Sequence, residues 1–240
     1  MTAYRLRRNH HEEHSKSPRF LSDFILGSQD GLVNVLGIIL GVAAATSDIR
    51  IIFVAALAAL GAESVSMGAV AYTSTLARRR YYLGEAEREK YEMKHVPDVE
   101  KGKIRGILKR WGYKGRALSD MTRHISANPK AMLKFMMSFE LSLSPVGRSQ
   151  PFRSFMTVLG ATIFGSIIPM LPFLFFSSNI LYGAITSVIV SGMFLFFVGY
   201  YEAKYTIGSV WRSGLQMLII GLVAGFVGYL IGHFVGAVPL

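Results

Sequence analysis

The sequence predicts an all-α membrane protein with five transmembrane helices and a cytoplasmic three-helix module between the second and third of them. Hydrophobic residues make up 51% of the 240 residues and charged residues only 17%, whereas about 25% is usual in soluble domains. The apolar residues are gathered into five long runs. Each run reaches the roughly 20 residues that a helix needs to cross a bilayer.

The links between these runs define the predicted organisation. The spans cover about 21–45, 51–76, 155–176, 180–200 and 215–235. The links at 46–48 and 177–179 are so short that they predict tight hairpins. We therefore divide the chain into an N-terminal tail, a first pair of spans, a polar module and three further spans, at 1–20, 21–77, 78–150 and 151–240.

Lysine and arginine lie mainly on one side of the predicted spans. They are frequent before the first span and after the second, beginning at Arg78, whereas the first hairpin carries only Arg50. By the positive-inside rule, the N-terminus and the module are cytoplasmic and the C-terminus lies outside. The net charge of +11 then reflects topology and contact with anionic lipid. We predict a multi-pass protein of the plasma, inner or vacuolar membrane, with no signal peptide and no nucleic-acid partner.

The chain has no cysteine, so any metal site must use carboxylate, imidazole, thioether, carbonyl or water ligands. The N-terminal tail contains His10, His11 and His14. We interpret these histidines as a weak metal-binding feature at most.

Two acidic residues lie inside predicted spans, Asp30 in the first and Glu63 in the second. A carboxylate in a bilayer is costly, and it usually faces a partner, a cavity or an ion path. Asp30 shares a helical face with Asn34, and Glu63 shares one with Met67. The sequence therefore predicts two polar stripes that line a pathway. For the glycines of the spans, helix packing is the better interpretation.

The ligand types indicate the cargo. Carboxylates attract any divalent cation, and a thioether adds affinity for transition metals but not for magnesium or calcium. A carboxylate in a desolvated path also exchanges a metal ion for a proton readily, because desolvation favours its protonated form.

The module repeats this ligand chemistry. Its predicted helices cover about 78–95, 98–111 and 119–140, with a break at Asn128-Pro129. Acidic residues and methionines recur along them at Glu85, Glu89, Glu92, Glu100, Met136, Met137 and Glu140. On spacing alone, a solvated charged face explains these acids better, because basic residues are interleaved with them.

Four segments of the sequence resemble the vacuolar iron transporter family. They are Asp30-Gly31-Leu32-Val33, Ser64-Val65-Ser66-Met67-Gly68, Ile168-Pro169-Met170-Leu171-Pro172-Phe173 and Met217-Leu218-Ile219-Ile220-Gly221. The resemblance extends from about residue 20 to residue 236. It implies five spans, a homodimer with a pathway between its subunits, and exchange of ferrous iron or manganese for protons.

The resemblance also implies site residues. Asp30 and Met67 match pathway ligands, and Glu63 matches a position that usually carries a carboxylate. In the module, the matching metal ligands are Glu89, Glu92, Glu100, Met136, Met137 and Glu140. This match favours metal binding over a solvated face.

Two residues depart from the family pattern. Lys103 stands where the module usually has a further glutamate, and Ala59 stands where some members carry another acid. A lysine among acids neutralises one of them without metal. We therefore expect the module to bind fewer ions, or to bind them more weakly.

Taken together, these features predict a proton-coupled transporter that moves ferrous iron out of the cytoplasm, with Mn²⁺, Zn²⁺ and Co²⁺ as further candidate substrates. Two alternatives stay open: a membrane-bound metal sensor or buffer, and a proton-coupled transporter of a non-metal solute. No nucleophile–base pair or phosphate-binding loop is evident, so we expect neither an enzyme nor a prosthetic group.

Overall fold

The computed structural model describes residues 18–205 and 209–236, and all regular secondary structure in these ranges is helical. The predicted N-terminal tail, including its three histidines, lies almost entirely outside the described residues. The α-helices are α1 (Pro18–Ala45), α2 (Ile49–His95), α3 (Pro97–Arg110), α4 (Gly115–Ala127), α5 (Pro129–Phe135), α6 (Gln150–Phe175), α7 (Ile180–Tyr205) and α8 (Val210–Gly236). A short π-helix, Met136–Glu140, directly follows α5.

Five of these helices, α1, α2, α6, α7 and α8, are long and apolar enough to cross a membrane. This confirms the prediction of five spans, and the first two are joined by the expected short hairpin at 46–48. The second helix continues well beyond its apolar part, without interruption, to His95. The first predicted module helix is therefore the end of α2.

The chain forms two compact units. The first contains residues up to Ala71 and from Arg153 onward, and the second contains Tyr72–Phe152. The second unit has more helical elements than the three that the sequence predicts. Its third predicted helix is divided into α4, α5 and the π-helix, because Asn128 and Pro129 interrupt the backbone between α4 and α5.

In the first unit, glycines bring α1 and α8 into close contact. A Cβ atom added at Gly228 would overlap the carbonyl of Gly37, and one added at Gly232 would overlap the carbonyl of Gly41. Side chains larger than hydrogen would force the two backbones apart. These contacts agree with the packing interpretation of the glycines.

Helix ends in the second unit are fixed by local hydrogen bonds. After α3, the N–H of Tyr113 donates to the carbonyl of Leu108 at 3.1 Å, and the N–H of Gly112 donates to Lys109 at 3.0 Å. This Schellman arrangement needs a left-handed residue, which Gly112 supplies with φ of +94°.

The helices of the second unit pack around a small apolar core formed by Ile104, Ile107, Leu108, Leu118, Met132, Phe135 and Met136.

Candidate functional site

The first unit contains an acidic pair held by an amide. The Nδ2 of Asn34 on α1 donates a short hydrogen bond to Oε1 of Glu63 on α2. Asp30 on α1 lies close enough to Glu63 for the two carboxylates to interact electrostatically. The other oxygen, Oε2 of Glu63, is buried and has no hydrogen-bond partner among the described residues. The structure thus brings together the two span acids that the sequence singled out, with one oxygen left free for a ligand.

A groove of about 880 Å³ opens beside this pair, between α1, α2 and α8. Asn34 and Glu63 line it together with Gly37, Gly41 and mainly apolar side chains. Ala59, the position at which the resemblance implied an acid in some members, lines the groove with a methyl group. The two predicted polar stripes therefore meet at this groove only in part.

The other two predicted pathway residues, Asp30 and Met67, lie outside the groove lining that the described residues form. Both are half-buried. Met67 lies one helical turn from Glu63 on α2. The prediction that its thioether binds metal stays a prediction.

The second unit contains a cluster of three carboxylates drawn from three elements. One oxygen each of Glu89 on α2, Glu100 on α3 and Glu140 on the π-helix lie within 4.8 Å of one another. Glu89 is 3% exposed and Glu100 is 0% exposed. Burying carboxylates without compensation is costly. The described residues offer no hydrogen bond to Oε2 of any of the three, and unpaired buried oxygens facing one another suit a divalent cation.

The ammonium of Lys103 on α3 contacts two of these three acids, and it also contacts Glu92. Its Nζ lies 2.9 Å from Oε1 of Glu100, 3.1 Å from Oε1 of Glu140 and 3.3 Å from Oε2 of Glu92. The contact with Glu100 is an ion pair without hydrogen-bond alignment, because that oxygen still has no aligned donor. The sequence anticipated that this lysine neutralises one acid, but it did not reveal that the same ammonium contacts three.

The remaining predicted ligands of this unit have other partners. Glu92 pairs with Arg88 as well as with Lys103. Met136 is fully buried within the apolar core of the unit, and Met137 is 1% exposed. The structure brings Glu89, Glu100 and Glu140 together, and metal binding by these acids, by Glu92 and by the two methionines stays a prediction.

Burial and neighbouring charges shift the pKa values of two residues in and beside the carboxylate cluster of the second unit. Burial, and then the nearby charge of Glu140, raise the pKa of Glu89 to about 7. Burial opposes the charged form of Lys103, but the adjacent carboxylates of Glu100 and Glu140 raise its pKa above the usual value. Lys103 therefore keeps its positive charge. A further cation near Glu89 would stabilise the charged form of that carboxylate.

Comparison with known proteins identifies relatives that cover almost the whole chain. The model of the VIT family matches residues 21–233. Vacuolar iron transporter 1 of Tulipa gesneriana is 30% identical over 233 residues, which cover 97% of this chain and 94% of that protein. Vacuolar iron transporter 2 of Oryza sativa subsp. japonica is 32% identical over 218 residues, covering 90% and 87%.

A more distant relative, the vacuolar iron transporter of Plasmodium berghei, is 26% identical over 231 residues, covering 93% of this chain and 85% of that protein. The similarity thus includes all five candidate spans and the whole second unit. It confirms the resemblance that the sequence segments indicated, and the chain belongs to the VIT family.

Proposed function

We propose that this protein moves ferrous iron, and related divalent transition metals, out of the cytoplasm in exchange for protons. The observation that carries the proposal is the Asp30–Glu63 pair on two helices long enough to span a membrane, in which Oε2 of Glu63 is buried and has no hydrogen-bond partner within the described ranges. Relatives that cover nearly the whole chain are named vacuolar iron transporters.

The chemistry of the pair supports coupling to protons. In the pathway we propose, a divalent ion binds Oε2 of Glu63 and the Asp30 carboxylate, and the Met67 thioether favours transition metals over magnesium and calcium. A metal ion and a proton compete for the same oxygens, so binding of one releases the other. Asn34 positions Glu63 through the hydrogen bond to Oε1 and leaves Oε2 for the cargo.

The surroundings of the pair favour a homodimer. The groove beside Glu63 is open and mostly apolar, and it carries exposed apolar side chains such as Ile38 and Ile51. A water-filled transport path must be closed toward lipid by protein. In our proposal a second copy of the chain covers the groove, and the ion passes between the two subunits.

The second unit has the role of collecting metal on the cytoplasmic side. The supporting feature is the cluster of Glu89, Glu100 and Glu140, whose oxygens lie within 4.8 Å of one another. Their hard oxygen ligands suit ferrous iron and manganese. We include Glu92, Met136 and Met137 as further ligands on the basis of the family pattern.

The test is transport by purified protein in liposomes, with ferrous iron uptake measured under an imposed proton gradient. We expect the wild-type flux to follow the gradient and Asp30→Ala to abolish it. Flux that persists in Asp30→Ala would overturn the pathway but not transport. Metal binding without any wild-type flux would favour the alternative of a membrane-bound sensor or buffer, for which the carboxylate cluster of the second unit would be sufficient.

A further inference from the structure

Lys103 lies at the centre of the acidic residues of the second unit. Its ammonium contacts carboxylates from three separate elements at 2.9 to 3.3 Å: Glu92 on α2, Glu100 on α3 and Glu140 on the π-helix. An ammonium has three N–H donors and no acceptor. This single ammonium therefore forms ion pairs with carboxylates from three elements.

Two of these three carboxylates also belong to the candidate metal cluster. Glu100 and Glu140 face Glu89 on one side and Lys103 on the other. A divalent ion held by the cluster would bring its positive charge within a few ångströms of the ammonium. Like charges at such a distance repel strongly in a site of reduced dielectric.

An ordinary surface ion pair does not account for this arrangement. Both partners of a typical pair in this unit are exposed, as for Lys101 and Asp98 at 51% and 93% of their side-chain surface. Lys103 is 30% exposed, but its partner Glu100 is 0% exposed. A carboxylate buried to this extent is costly unless it is protonated, hydrogen-bonded or paired with a cation, and Lys103 is the cation that contacts it.

We propose that the Lys103 ammonium takes the place of a metal ion in this cluster, so that the second unit folds without metal and an incoming divalent cation must displace Lys103 from Glu100 and Glu140. The partial exposure of Lys103 and its four-carbon chain allow the ammonium to swing toward solvent. The competition rests on the proposed function only in assuming that the cluster binds metal, and it is independent of transport.

The test uses the full-length protein in detergent, with Co²⁺ as a spectroscopically visible probe. Lys103→Leu removes the charge and adds no atom that could ligate a metal ion. Because one competing cation is lost, we expect Lys103→Leu to bind Co²⁺ at least about tenfold more tightly than wild type. Its thermal unfolding midpoint should fall in chelator and recover with Co²⁺, whereas the wild-type midpoint should differ much less between the two conditions.

Lys101→Leu is the matched control, because Lys101 is on the same helix and, among the described residues, forms its ion pair with the exposed Asp98. It should behave as wild type in both measurements. Equal Co²⁺ affinity in Lys103→Leu and wild type would overturn the competition alone. Absence of Co²⁺ binding in both proteins would overturn the competition together with the proposed collection of metal by this unit.

A second measurement needs no substitution and therefore does not depend on the folding of a variant. Amine-reactive labelling of wild type, followed by peptide mass spectrometry, reports the accessibility of each lysine. Saturating Co²⁺ should increase labelling of Lys103 severalfold and leave Lys101 unchanged. Unchanged labelling of Lys103 at saturating Co²⁺ would contradict displacement.

Discussion

The side-chain amide of Asn34 on α1 donates a hydrogen bond to Oε1 of Glu63 on α2, and Oε2 of the same carboxylate is buried without a partner among the described residues. An amide cannot neutralise a carboxylate, so this bond orients the acid and leaves its charge to be balanced by a proton or a cation. The hydrogen bond to Oε1 therefore positions Glu63, and Oε2 stays available for the cargo.

The first prediction follows from these different roles of the two Glu63 oxygens. Glu63→Gln keeps an oxygen that can accept from Asn34 but removes the negative charge. We expect ferrous iron flux into proteoliposomes to fall at least about tenfold, since one lost charge interaction in a desolvated site exceeds 1.4 kcal/mol. Uptake under an imposed proton gradient measures the change.

Asp48→Asn is the matched control for this loss of charge. Asp48 lies in the hairpin before α2, where its side chain accepts from the N–H of Arg50 at 2.8 Å. Asparagine retains that capping bond, so the control should transport as wild type. A flux equal to wild type in Glu63→Gln would exclude Glu63 as a cargo ligand.

The second prediction concerns selectivity. Met67→Leu removes a thioether one turn from Glu63 and preserves an apolar side chain of similar volume. Because thioethers favour softer metals and manganese prefers oxygen ligands, we expect the ratio of iron flux to manganese flux to fall. Competition between the two ions in the same proteoliposomes gives this ratio directly.

Met121→Leu is a suitable control for the methionine substitution. Met121 lies on α4 in the second unit and is 38% exposed. It should leave the flux ratio unchanged. If Met67→Leu also has the wild-type ratio, the thioether does not contribute to selection.

The third prediction concerns the packing of α1 against α8. Gly228→Ala places a methyl group where the carbonyl of Gly37 lies. We expect a loss of about 1 to 3 kcal/mol in the free energy of unfolding, typical of an overpacked contact. A lower thermal unfolding midpoint in detergent would show this loss.

Gly160→Ala serves as the comparison, because a Cβ atom at Gly160 meets nothing within 4 Å. Alanine is the better helix former, so this variant should be as stable as wild type or slightly more stable. Equal midpoints for Gly228→Ala and Gly160→Ala would refute a close α1–α8 contact.

The fourth prediction concerns the break between α4 and α5. Asn128 accepts hydrogen bonds from the N–H groups of Lys130 and Ala131 at 3.0 and 3.2 Å, and so caps α5. Asn128→Ala should destabilise the second unit by about 1 kcal/mol. Faster tryptic cleavage after Lys130 and Lys134 would report the loosened helix.

Asn128→Ser retains a capping oxygen and should restore most of the protection. Equal cleavage rates for wild type and Asn128→Ala would indicate that the cap contributes nothing to the stability of α5.

By itself, the sequence determined the five candidate spans and the break at Asn128. Both are local properties: the length of an apolar run decides whether a helix can cross a bilayer, and an Asn-Pro pair fixes the backbone where it occurs. The acids in the spans were also visible, since Asp30 and Glu63 stand out against apolar neighbours.

Only the tertiary structure decided which acids meet. Glu89, Glu100 and Glu140 lie on three separate elements, and the turns between α2, α3 and the π-helix bring their oxygens within 4.8 Å. Lys103 lies one helical turn from Glu100 on α3, but its contacts with Glu92 and Glu140 arise for the same reason. Spacing along one helix cannot encode such distances, because they depend on how separate helices pack around a shared core. The sequence thus supplied the ligand types, and packing decided their partners.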